Sequence, residues 1–458
     1  MSAPAGLAEA VTELTALLGE RCSTKTAIRD HHSRDESYLP PALPDAVVFP
    51  ETVEEVQAIV RICAGQAVPL IPFGAGTSLE GHVLATTGGV CVDMTRFKKI
   101  VELRRDDLDV TVEAGVTRME LNDRLRRDGL FFPVDPGADA TLGGMAATGA
   151  SGTSTVKYGT MSANVLALDV VLPDGSLIHT GTRARKSSAG YDLTSLLVGS
   201  EGTMGIITGL TLRVYGIPET VSAAVVQFES LTDAVQTVIE TLQLGIPVSR
   251  IELLDGHAMR AINAYANFTY AEAPTLFLEF EGTPVATADA VDSFGEVVRE
   301  HSPMSTETGL GREFRDRLWS ARHNAYYASL AMRPGSRSIT TDVCVPISRL
   351  ADNILDTERD LDQASFPSTL VGHVGDGNYH ILMLVDPDQP DELAEAKEVN
   401  ARLVRRAIVA GGTCTGKHGI GVGKRGYLRE EAGSAVDLMQ AIKRTIDPLN
   451  IMNPGKVI

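Results

Sequence analysis

The stretch from Pro133 to Gly159 has almost no long side chains and contains six glycines, which are Gly137, Gly143, Gly144, Gly149, Gly152 and Gly159. Small side chains bury little apolar area, and each interior glycine disfavours a helix by roughly 1 kcal/mol relative to alanine. The backbone of such a segment can approach a large ligand closely and direct N–H groups and hydroxyls at it. We therefore predict a ligand cradle without a stable helix, with a flexible linker as the alternative.

The overall composition, 43% hydrophobic and 22% charged over 458 residues, is that of an ordinary soluble protein. This length allows two or three domains with a sizeable core. The net charge of −18 argues against a nucleic-acid partner, because a phosphate backbone would be repelled. No apolar run approaches the roughly 18 residues that a membrane-spanning helix requires.

The N-terminal segment carries Glu9, Glu13 and Glu20 and no early lysine or arginine, which is the opposite of the charge pattern of a signal or transit peptide. The cysteines are odd in number and form no close CxxC pair, as reduced thiols do. They are Cys22, Cys63, Cys91, Cys344 and Cys414. We therefore expect a cytoplasmic protein.

The hydrophobic pattern before Pro218 mixes helices and strands without strict βαβ alternation, so the predicted fold class is α+β and not a doubly wound parallel sheet. Thr52 with Glu55 predicts a capping box that opens a helix to Gln66. The other expected elements are a helix over 1–25, strands Val68–Phe73, Gly89–Asp93 and Asp109–Ala114, a helix from Arg118 to Gly129, a hairpin turning at Pro173–Gly175, and a strand from Ile206.

After Pro218, strand-like runs alternate with helix-like runs, which indicates an antiparallel sheet covered by helices. The expected strands are Ala223–Phe228, Thr275–Glu281, Ser338–Pro346, Thr369–His373 and His380–Val385. The expected helices are Leu231–Leu242, Val285–Glu300, Leu350–Leu361, Asp391–Val409 and Ala435–Ile446. A proline-containing tail follows and is expected to pack back on the first part. The predicted domains are 1–40 (N-terminal helix and polar loop), 41–218 and 219–458.

A short glycine-containing loop follows the first predicted strand, as a phosphate-binding turn does, and its N–H groups form a candidate anion nest. The loop consists of Gly74, Ala75, Gly76, Thr77 and Ser78. It is not G-x-G-x-x-G, because Leu79 occupies the third glycine position, and a tight turn is the alternative. Two further small-residue segments, the cradle and Gly199–Gly205, favour a ligand as long as a dinucleotide.

Two glycine-rich segments in the second part carry three of the ten histidines. His373 and His380 form the pattern HxGDGxxH, and His418 follows later in TGKHG. Imidazoles among glycine and aspartate are candidate metal ligands or bases, and this spacing favours such a role over a structural one. Arg322 is a candidate clamp for a substrate carboxylate, with a surface ion pair as the alternative.

Taken together, these segments resemble the FAD-dependent 2-hydroxyacid dehydrogenases of the vanillyl-alcohol oxidase superfamily, of the D-lactate dehydrogenase (cytochrome) type. The matching segments include PFGAGTSLEGH, SSAGYDLTSLLVGSEGTMGIIT, IELLD, LWSARHNAYYA, TTDVCVPISRL, HVGDGNYH, GGTCTG-HGIG and MNPGKV. They extend from about residue 40 to the end of the chain. The resemblance implies a two-lobed FAD-binding domain over 41–218 and a substrate domain over 219–458.

The resemblance also implies which residues bind FAD. The loop from Gly74 to Ser78 would bind the pyrophosphate, and the cradle and the segment around Glu201 would hold the rest of the cofactor. Relatives with covalent flavin carry a histidine where this chain has Gly76 or Thr77, so noncovalent FAD is implied. The implied cofactor-binding residues are Pro72, Gly74, Ala75, Gly76, Thr77, Ser78, Gly81, His82, Pro136, Gly137, Thr141, Gly144, Thr148, Ser151, Gly152, Tyr158, Glu201, Gly202, Gly205, Ile206, Ile207 and Asn453.

For catalysis, the resemblance implies that His418 takes the proton of the substrate hydroxyl as hydride leaves C2 for flavin N5, while Arg322 holds the substrate carboxylate. His373 and His380 would help to bind a divalent metal, zinc or manganese. Related 2-hydroxyglutarate dehydrogenases carry a lysine and an asparagine where this chain has Thr340 and Leu382. The implied substrate is therefore D-lactate or another short or apolar D-2-hydroxyacid.

Lys417 departs from the family pattern, which is TGEHG with the glutamate as a metal ligand. An ammonium in place of a carboxylate removes a ligand and adds repulsion of a cation. We expect metal binding to be weakened or lost, with either low activity or a catalytic role for the Lys417 ammonium in place of the ion. The alternative is that Lys417 turns to solvent and the histidines keep a weaker metal.

The resemblance implies a small 2-hydroxyacid as substrate and electron transfer to a cytochrome such as cytochrome c, a quinone or an electron-transfer flavoprotein. Alternatives are a D-2-hydroxyglutarate or glycolate dehydrogenase or oxidase of the same family, and an FAD-binding protein impaired by Lys417. A homodimer and a peripheral position at a membrane remain open from the sequence.

Overall fold

The computed structural model describes residues 6–458, except for the side chains of Arg312, Ala321 and His323. Residues 1–5, the start of the helix expected over 1–25, lie outside the described residues. Within the described part this helix spans Leu7–Leu18, and Gly19, at φ +58°, ends it. The expected extension to residue 25 is therefore wrong, because the chain turns through a 3-10 segment at Gly19–Arg21.

The elements up to residue 217 alternate between short strands and helices. The strands are β1 (Cys22–Ser23), β2 (Ala46–Val48), β3 (Leu70–Phe73), β4 (Val90–Asp93), β5 (Ile100–Arg104), β6 (Asp109–Glu113), β7 (Leu130–Phe131), β8 (Val165–Val171), β9 (Leu177–His179), β10 (Ile206–Arg213) and β11 (Tyr215–Gly216). The helices are α1 (Leu7–Leu18), α2 (Thr26–His31), α3 (Val53–Gly65), α4 (Arg118–Leu125), α5 (Leu142–Thr148), α6 (Thr155–Tyr158), α7 (Met161–Asn164) and α8 (Leu193–Leu197).

From residue 218 onward the elements are longer. The strands are β12 (Thr220–Phe228), β13 (Val248–Leu254), β14 (Thr275–Gly282), β15 (Pro303–Leu310), β16 (Arg337–Thr340), β17 (Val343–Cys344), β18 (Ser368–His373) and β19 (Asn378–Val385). The helices are α9 (Leu231–Gln243), α10 (Gly256–Ala266), α11 (Pro284–Glu300), α12 (Arg312–His323), α13 (Ala325–Ala331), α14 (Leu350–Leu361), α15 (Pro390–Val409), α16 (Arg425–Ala432) and α17 (Ala435–Ile446).

The chain forms two compact units that interleave along the sequence. The first comprises Met1–Ser151, Gly159–Ile217 and Lys417–Ile458, and the second comprises Gly152–Tyr158 and Pro218–Gly416. Both units mix helices with sheets, which confirms the predicted α+β class. The contiguous domain boundaries expected from the sequence stay a prediction.

The first unit contains a four-stranded sheet, β1-β2-β4-β3, and an antiparallel five-stranded sheet, β5-β6-β10-β8-β9. The expected hairpin after the cradle is formed by β8 and β9. Helix α3 begins where expected, because Thr52 Oγ1 accepts the N–H of Glu55 at 3.2 Å. The expected capping box is incomplete, since the Glu55 carboxylate accepts instead from Arg21 and from the N–H of Glu51.

The C-terminal tail lies in the first unit and joins its four-stranded sheet. Met452 forms a parallel bridge with Leu70, whose N–H donates to Ile451 O at 2.7 Å. The buried ammonium of Lys443 donates to Thr203 O at 2.6 Å and to Met452 O at 2.9 Å. The lysine thereby binds the tail to the loop that precedes β10.

The second unit is built on an antiparallel sheet of order β15-β12-β14-β13-β18-β19-β16, with β17 beside β19. The sequence pattern missed β13 and β15, because β13 carries Arg250 and Glu252 on a covered face and β15 is a polar, exposed edge strand. It also missed α10, α12 and α13. The prediction of one continuous strand over Ser338–Pro346 is wrong, because this segment forms two short strands, β16 and β17.

Candidate active site

The small-residue stretch contains a helix, so the prediction that no stable helix forms there is wrong. Helix α5 begins because Thr141 Oγ1 accepts the N–H of Gly144 at 3.3 Å. Leu142, Met145 and Ala146 face the apolar core at helical spacing. Capping and burial of this face outweigh the low helix propensity of glycine over a helix this short.

The glycine loop after β3 lies directly against this helix. A Cβ at Gly74 would clash with Thr141 Oγ1, so only glycine allows the two segments to approach this closely. Gly76 has φ +68°, and Ser78 Oγ donates to Asp35 at 3.0 Å. The loop is thus fixed beside the N-terminus of α5.

The segment around Glu201 joins the same group. The N–H of Gly199 donates to Ala146 O at 2.9 Å, and the N–H of Glu201 donates to Ala147 O at 2.8 Å. A Cβ at Gly202 would lie 3.0 Å from Pro72 Cγ. The structure therefore brings together the three small-residue segments that the sequence singled out within the first unit.

The backbone is open at two of these glycines. A Cβ built at Gly137 or at Gly199 would meet no protein atom within 4 Å, whereas at Gly143 it would lie 2.6 Å from Ala114 Cβ. At position 143, glycine is therefore required for packing inside the protein. At Gly137 and Gly199 the space beside the backbone is open, so a ligand can approach it.

Several side chains expected to bind the cofactor have protein partners in the first unit. Asn453 Nδ2 donates to His82 O at 3.0 Å and to Glu201 O at 2.7 Å. Thr148 Oγ1 donates to Gly144 O at 3.1 Å. The other residues of this unit that were expected to bind the cofactor lie in the three small-residue segments or next to them. They are Ala75, Thr77, Gly81, Pro136, Ser151, Gly205, Ile206 and Ile207.

Two residues expected to bind the cofactor, Gly152 and Tyr158, belong to the second unit. The Tyr158 hydroxyl donates to Glu281 Oε2 at 2.9 Å, and Lys157 lies 3.3 Å from the same oxygen. The hydroxyl of Tyr158 is therefore engaged with the sheet of the second unit.

Arg322 and His373 share one buried carboxylate in the second unit. Glu252 Oε2 lies 2.7 Å from both Nε and Nη2 of Arg322. Glu252 Oε1 lies 2.6 Å from Nδ1 of His373. Burial raises the pKa of Glu252, but the charges of His373 and Arg322 outweigh it and hold that pKa below its usual value.

His380 is also oriented by its Nδ1, which lies 2.9 Å from Thr341 O. A carbonyl accepts only, so Nδ1 carries the proton and Nε2 is the atom that can ligate a metal. Asp342 is fully buried nearby, with Oδ1 3.6 Å from His380 Nδ1, and it accepts from Asn378 at 2.8 Å and Thr415 at 2.7 Å.

The loop that carries His418 is held by buried groups of the first unit. Glu80 Oε1 lies 3.1 Å from Nζ of Lys424 and 3.8 Å from Nδ1 of His418. Glu80 O accepts the N–H of Val422 at 2.8 Å. His418 is thus a buried imidazole next to a buried carboxylate, and Lys417 before it is half-buried.

The sequence interpretation gave no role to Glu252, Asp342, Glu80 or Lys424, although the first three lie in segments that carry the family resemblance. Their partners are distant in sequence: 121 positions separate Glu252 from His373, and 36 positions separate Asp342 from Asn378. A charged residue inside an apolar strand, as in IELLD, was the available signal, because such a residue requires a buried partner.

Comparison with known proteins identifies the family. Residues 44–181 match the FAD binding domain family, and residues 217–457 match the family of FAD linked oxidases, C-terminal domain. The chain belongs to the FAD-linked oxidases. It is therefore an FAD-dependent oxidoreductase, as the sequence motifs predicted.

The chain is similar to three named relatives over more than 90% of its length. It is 51% identical to a probable mitochondrial D-lactate dehydrogenase of Danio rerio, over 96% of this chain and 89% of the relative. It is 44% identical to the mitochondrial D-lactate dehydrogenase [cytochrome] of Arabidopsis thaliana, over 98% and 80%. Identity falls to 33% with the glycolate oxidase subunit GlcD of Bacillus subtilis, over 91% and 89%.

Among solved structures, the fold is similar to that of 4-ethylphenol oxidase from Gulosibacter chungangensis, with a TM-score of 0.80. The similarity covers 100% of this chain and 98% of the oxidase at 18% identity. At this identity it shows the fold alone, and that fold agrees with the predicted mixed arrangement of helices and sheets.

The cytoplasmic location expected from the sequence is wrong, because the D-lactate dehydrogenases of Danio rerio and Arabidopsis thaliana that this chain matches are both named mitochondrial. The acidic N-terminal segment and reduced thiols do not distinguish between intracellular compartments. None of the helices in residues 6–458 has the length and apolar character needed to cross a membrane.

Proposed function

We propose that this protein oxidises D-lactate to the 2-oxoacid with FAD as the hydride acceptor. The observation that supports the substrate is the 51% identity to a D-lactate dehydrogenase over 96% of the chain. Glycolate is the second candidate, favoured by the 33% identity to a glycolate oxidase subunit. 2-Hydroxyglutarate is the third.

The region around Leu382 favours a short, apolar substrate over 2-hydroxyglutarate. Leu382 is buried in the apolar cluster of the second unit, and it lies opposite Thr340 where β16 pairs with β19. Neither position offers the cation that a second substrate carboxylate would need for pairing. This supports lactate, whose side chain is a methyl group.

The residues of the cradle fit FAD, because open backbone at Gly137 and Gly199 admits a flat ligand beside the loop Gly74–Ser78. We propose that this loop binds the pyrophosphate and that the cofactor is noncovalent, since Gly76 and Thr77 offer no nucleophilic imidazole. Bound FAD supplies the hydride acceptor and later passes the electrons on.

Arg322 and His418 perform the two remaining tasks in this proposal. Arg322 binds the carboxylate of the substrate, with Nε and Nη2 held by Glu252 and Nη1 outside that ion pair. His418 Nε2 accepts the proton of the substrate hydroxyl, because Nδ1 is the ring atom near Glu80. A nearby carboxylate stabilises the imidazolium that results.

His373 and His380 fit a divalent cation such as zinc or manganese, because the Nδ1 atom of each faces an oxygen acceptor and so carries the proton, which gives Nε2 the lone pair that ligates a metal. We propose that Lys417 weakens this site, since the family supplies a glutamate there. A metal, where bound, acts as a Lewis acid on the substrate hydroxyl. The alternative is that Lys417 points to solvent and the two histidines hold a weaker metal.

For the electron acceptor we propose a cytochrome, because the Arabidopsis thaliana relative is named for one. A quinone or an electron-transfer flavoprotein would be revealed by reduction of those acceptors instead. Light scattering of the purified protein tests whether it forms the homodimer that the sequence leaves open.

The experiment that tests the proposed function is a visible spectrum of the purified protein before and after anaerobic D-lactate. We expect a flavin spectrum that D-lactate bleaches and L-lactate does not. If the flavin stays oxidised with D-lactate but is bleached by glycolate or D-2-hydroxyglutarate, the substrate is wrong and the enzyme class stands. If no 2-hydroxyacid bleaches it, the impaired FAD-binding alternative is supported.

A further inference from the structure

We propose that Glu252 is a positioning residue that holds Arg322 and His373 in one fixed arrangement, so that substrate binding and catalysis both depend on it. The inference rests on the proposed function, in which Arg322 binds the substrate carboxylate. It assigns a role to a residue that itself touches neither substrate nor cofactor in this proposal.

Each oxygen of the Glu252 carboxylate has a different partner. Oε2 accepts from two nitrogens of Arg322, Nε and Nη2, both at 2.7 Å. Oε1 accepts from Nδ1 of His373 at 2.6 Å. The side-on contact fixes the plane of the guanidinium, and the second contact fixes both the rotation and the tautomer of the imidazole.

Burial makes this arrangement rigid. Glu252 is fully buried, so its charge would be costly without partners, and the Arg322 guanidinium and the N–H of His373 compensate it. Its backbone is equally fixed, because β13 lies between β14 and β18, with Glu252 opposite Phe277. His373 ends β18, so the two side chains approach from neighbouring strands.

Arg322 lies on the face of helix α12 that contacts the sheet. Arg315, Trp319 and Arg322 follow one another at helical spacing. Arg315 Nε lies 2.5 Å from Glu279, and Trp319 lies under the guanidinium of Arg250 at 5.1 Å. The helix is therefore anchored to the sheet at two further points, and removing Glu252 should release Arg322 without releasing α12.

Glu279 offers a matched control, since it is another fully buried glutamate of the same sheet that pairs with two arginines. Its carboxylate lies 3.1 Å from Arg250 and 2.5 Å from Arg315. Neither arginine has a role in the proposed reaction. Glu252→Gln and Glu279→Gln thus make the same chemical change, and only the first touches Arg322 and His373.

The test compares steady-state kinetics of the two variants at equal flavin content. We expect Glu252→Gln to raise KM for D-lactate and to lower kcat, each by roughly tenfold to a hundredfold, as loss of a residue that orients a binding or ligating side chain typically does. Glu252→Asp, which keeps the charge, should recover part of the loss. Glu279→Gln should lower thermal stability but change both constants far less than Glu252→Gln does, because Glu252 still holds Arg322 directly when this anchor of α12 is weakened.

A double-mutant cycle separates positioning from general damage. If Glu252 acts through Arg322, then Glu252→Gln should raise KM much less in an Arg322→Lys background than in the parent protein. Full additivity of the two substitutions would overturn the proposal. Equal kinetic loss in Glu279→Gln and Glu252→Gln would also overturn it.

A readout without substrate keeps this inference separate from the proposed function. Nitrogen-15 NMR of labelled histidine, assigned with His373→Asn, should show His373 protonated at Nδ1 in the parent protein and a mixture of tautomers in Glu252→Gln. A parent protein that binds flavin and shows this change but does not oxidise D-lactate would refute the substrate alone. An unchanged tautomer in Glu252→Gln would refute the positioning role.

Discussion

The carboxylate of Glu201 accepts the backbone N–H of Ile420 at 2.7 Å, although 219 positions separate the two residues. The N–H of Gly421 donates to the other oxygen at 2.8 Å, and His82 Nε2 lies 3.3 Å from it. Burial lowers the pKa of His82, but the neighbouring carboxylates, Glu201 above all, together outweigh it and raise that pKa above its usual value. Glu201 thus fixes the loop that carries His418.

A substitution at Gly419 tests this arrangement, because the residue lies between His418 and the N–H groups of Ile420 and Gly421 that donate to Glu201. A Cβ there would lie 2.6 Å from Glu201 Oε1 and 2.8 Å from His82 Nε2, and the residue has φ +81°. Gly419→Ala should therefore displace the loop and lower kcat/KM for D-lactate by about 10²-fold, the effect of a misplacement near 1 Å. Steady-state kinetics at equal flavin content measure it.

Gly433→Ala is the matched control for backbone strain. Gly433 ends α16 with φ +54°, and a Cβ there would meet no atom within 4 Å. The substitution should cost about 1 kcal/mol of stability and leave kcat/KM unchanged. Equal kinetic effects of the two variants would show that strain, and not the contact with Glu201, disturbs the site.

Much of the fold could be predicted from the sequence, because many elements have local causes. Helix α14 has the bounds that its apolar spacing indicated, and α17 does too. Helix α5 was not predicted, since its stability comes from burial of Leu142 and Met145 against the core and from the Thr141 cap. Glycine content alone gave the wrong answer.

The positions of candidate site residues could be predicted far better than their partners. His373 and Arg322 were singled out by motif, but their common partner Glu252 depends on the pairing of β13 with β18 and on the placement of α12. Strand pairing between distant segments is set by tertiary packing, which local patterns do not encode. The same holds for Glu80 and Lys424.

Gly137 offers a direct test of the cradle. A methyl group there would meet no protein atom within 4 Å, so Gly137→Ala should leave the stability of the apoprotein within about 0.5 kcal/mol. It should nevertheless lower the flavin bound per chain after purification, because the added methyl group occupies the space expected for FAD. Visible absorbance relative to protein content measures the flavin.

The control for Gly137 is Gly295→Ala, which places a methyl group in open space on α11, away from the cradle. It should stabilise the helix by up to about 1 kcal/mol and leave the flavin content unchanged. Full flavin content in Gly137→Ala would mean that FAD does not approach this part of the cradle.

Lys417 replaces the glutamate that supplies a metal ligand in the proposed site. If its ammonium takes the place of that ligand, at about 4 Å from a divalent cation, it repels the cation by several kcal/mol even at an effective dielectric constant near 20. The parent protein should therefore hold well under one zinc or manganese per chain, and Lys417→Glu should raise the content toward one. Lys417→Gln removes the charge without adding a ligand and should give an intermediate value. Metal analysis after dialysis measures all three, and a full complement in the parent would contradict the prediction.

Lys456 should make stability depend on pH in the alkaline range. Its side chain is buried, its ammonium donates to Leu84 O and Pro454 O, and burial lowers its pKa from 10.5 to about 8. Between these pH values the unfolded chain binds more protons than the folded one, so stability rises with pH.

The rise attributable to Lys456 should be roughly 3 kcal/mol across that interval, since one pKa unit corresponds to about 1.4 kcal/mol. Denaturant unfolding at several pH values between 8 and 10.5 measures it as the difference between the parent and Lys456→Met. Lys99→Met is the control, because it removes the same ammonium from a side chain that is 76% exposed. If stability depends on pH in the same way in the parent and in Lys456→Met, the predicted shift is wrong. The carbonyl partners of Lys456 would then stabilise its ammonium to the same degree as water does.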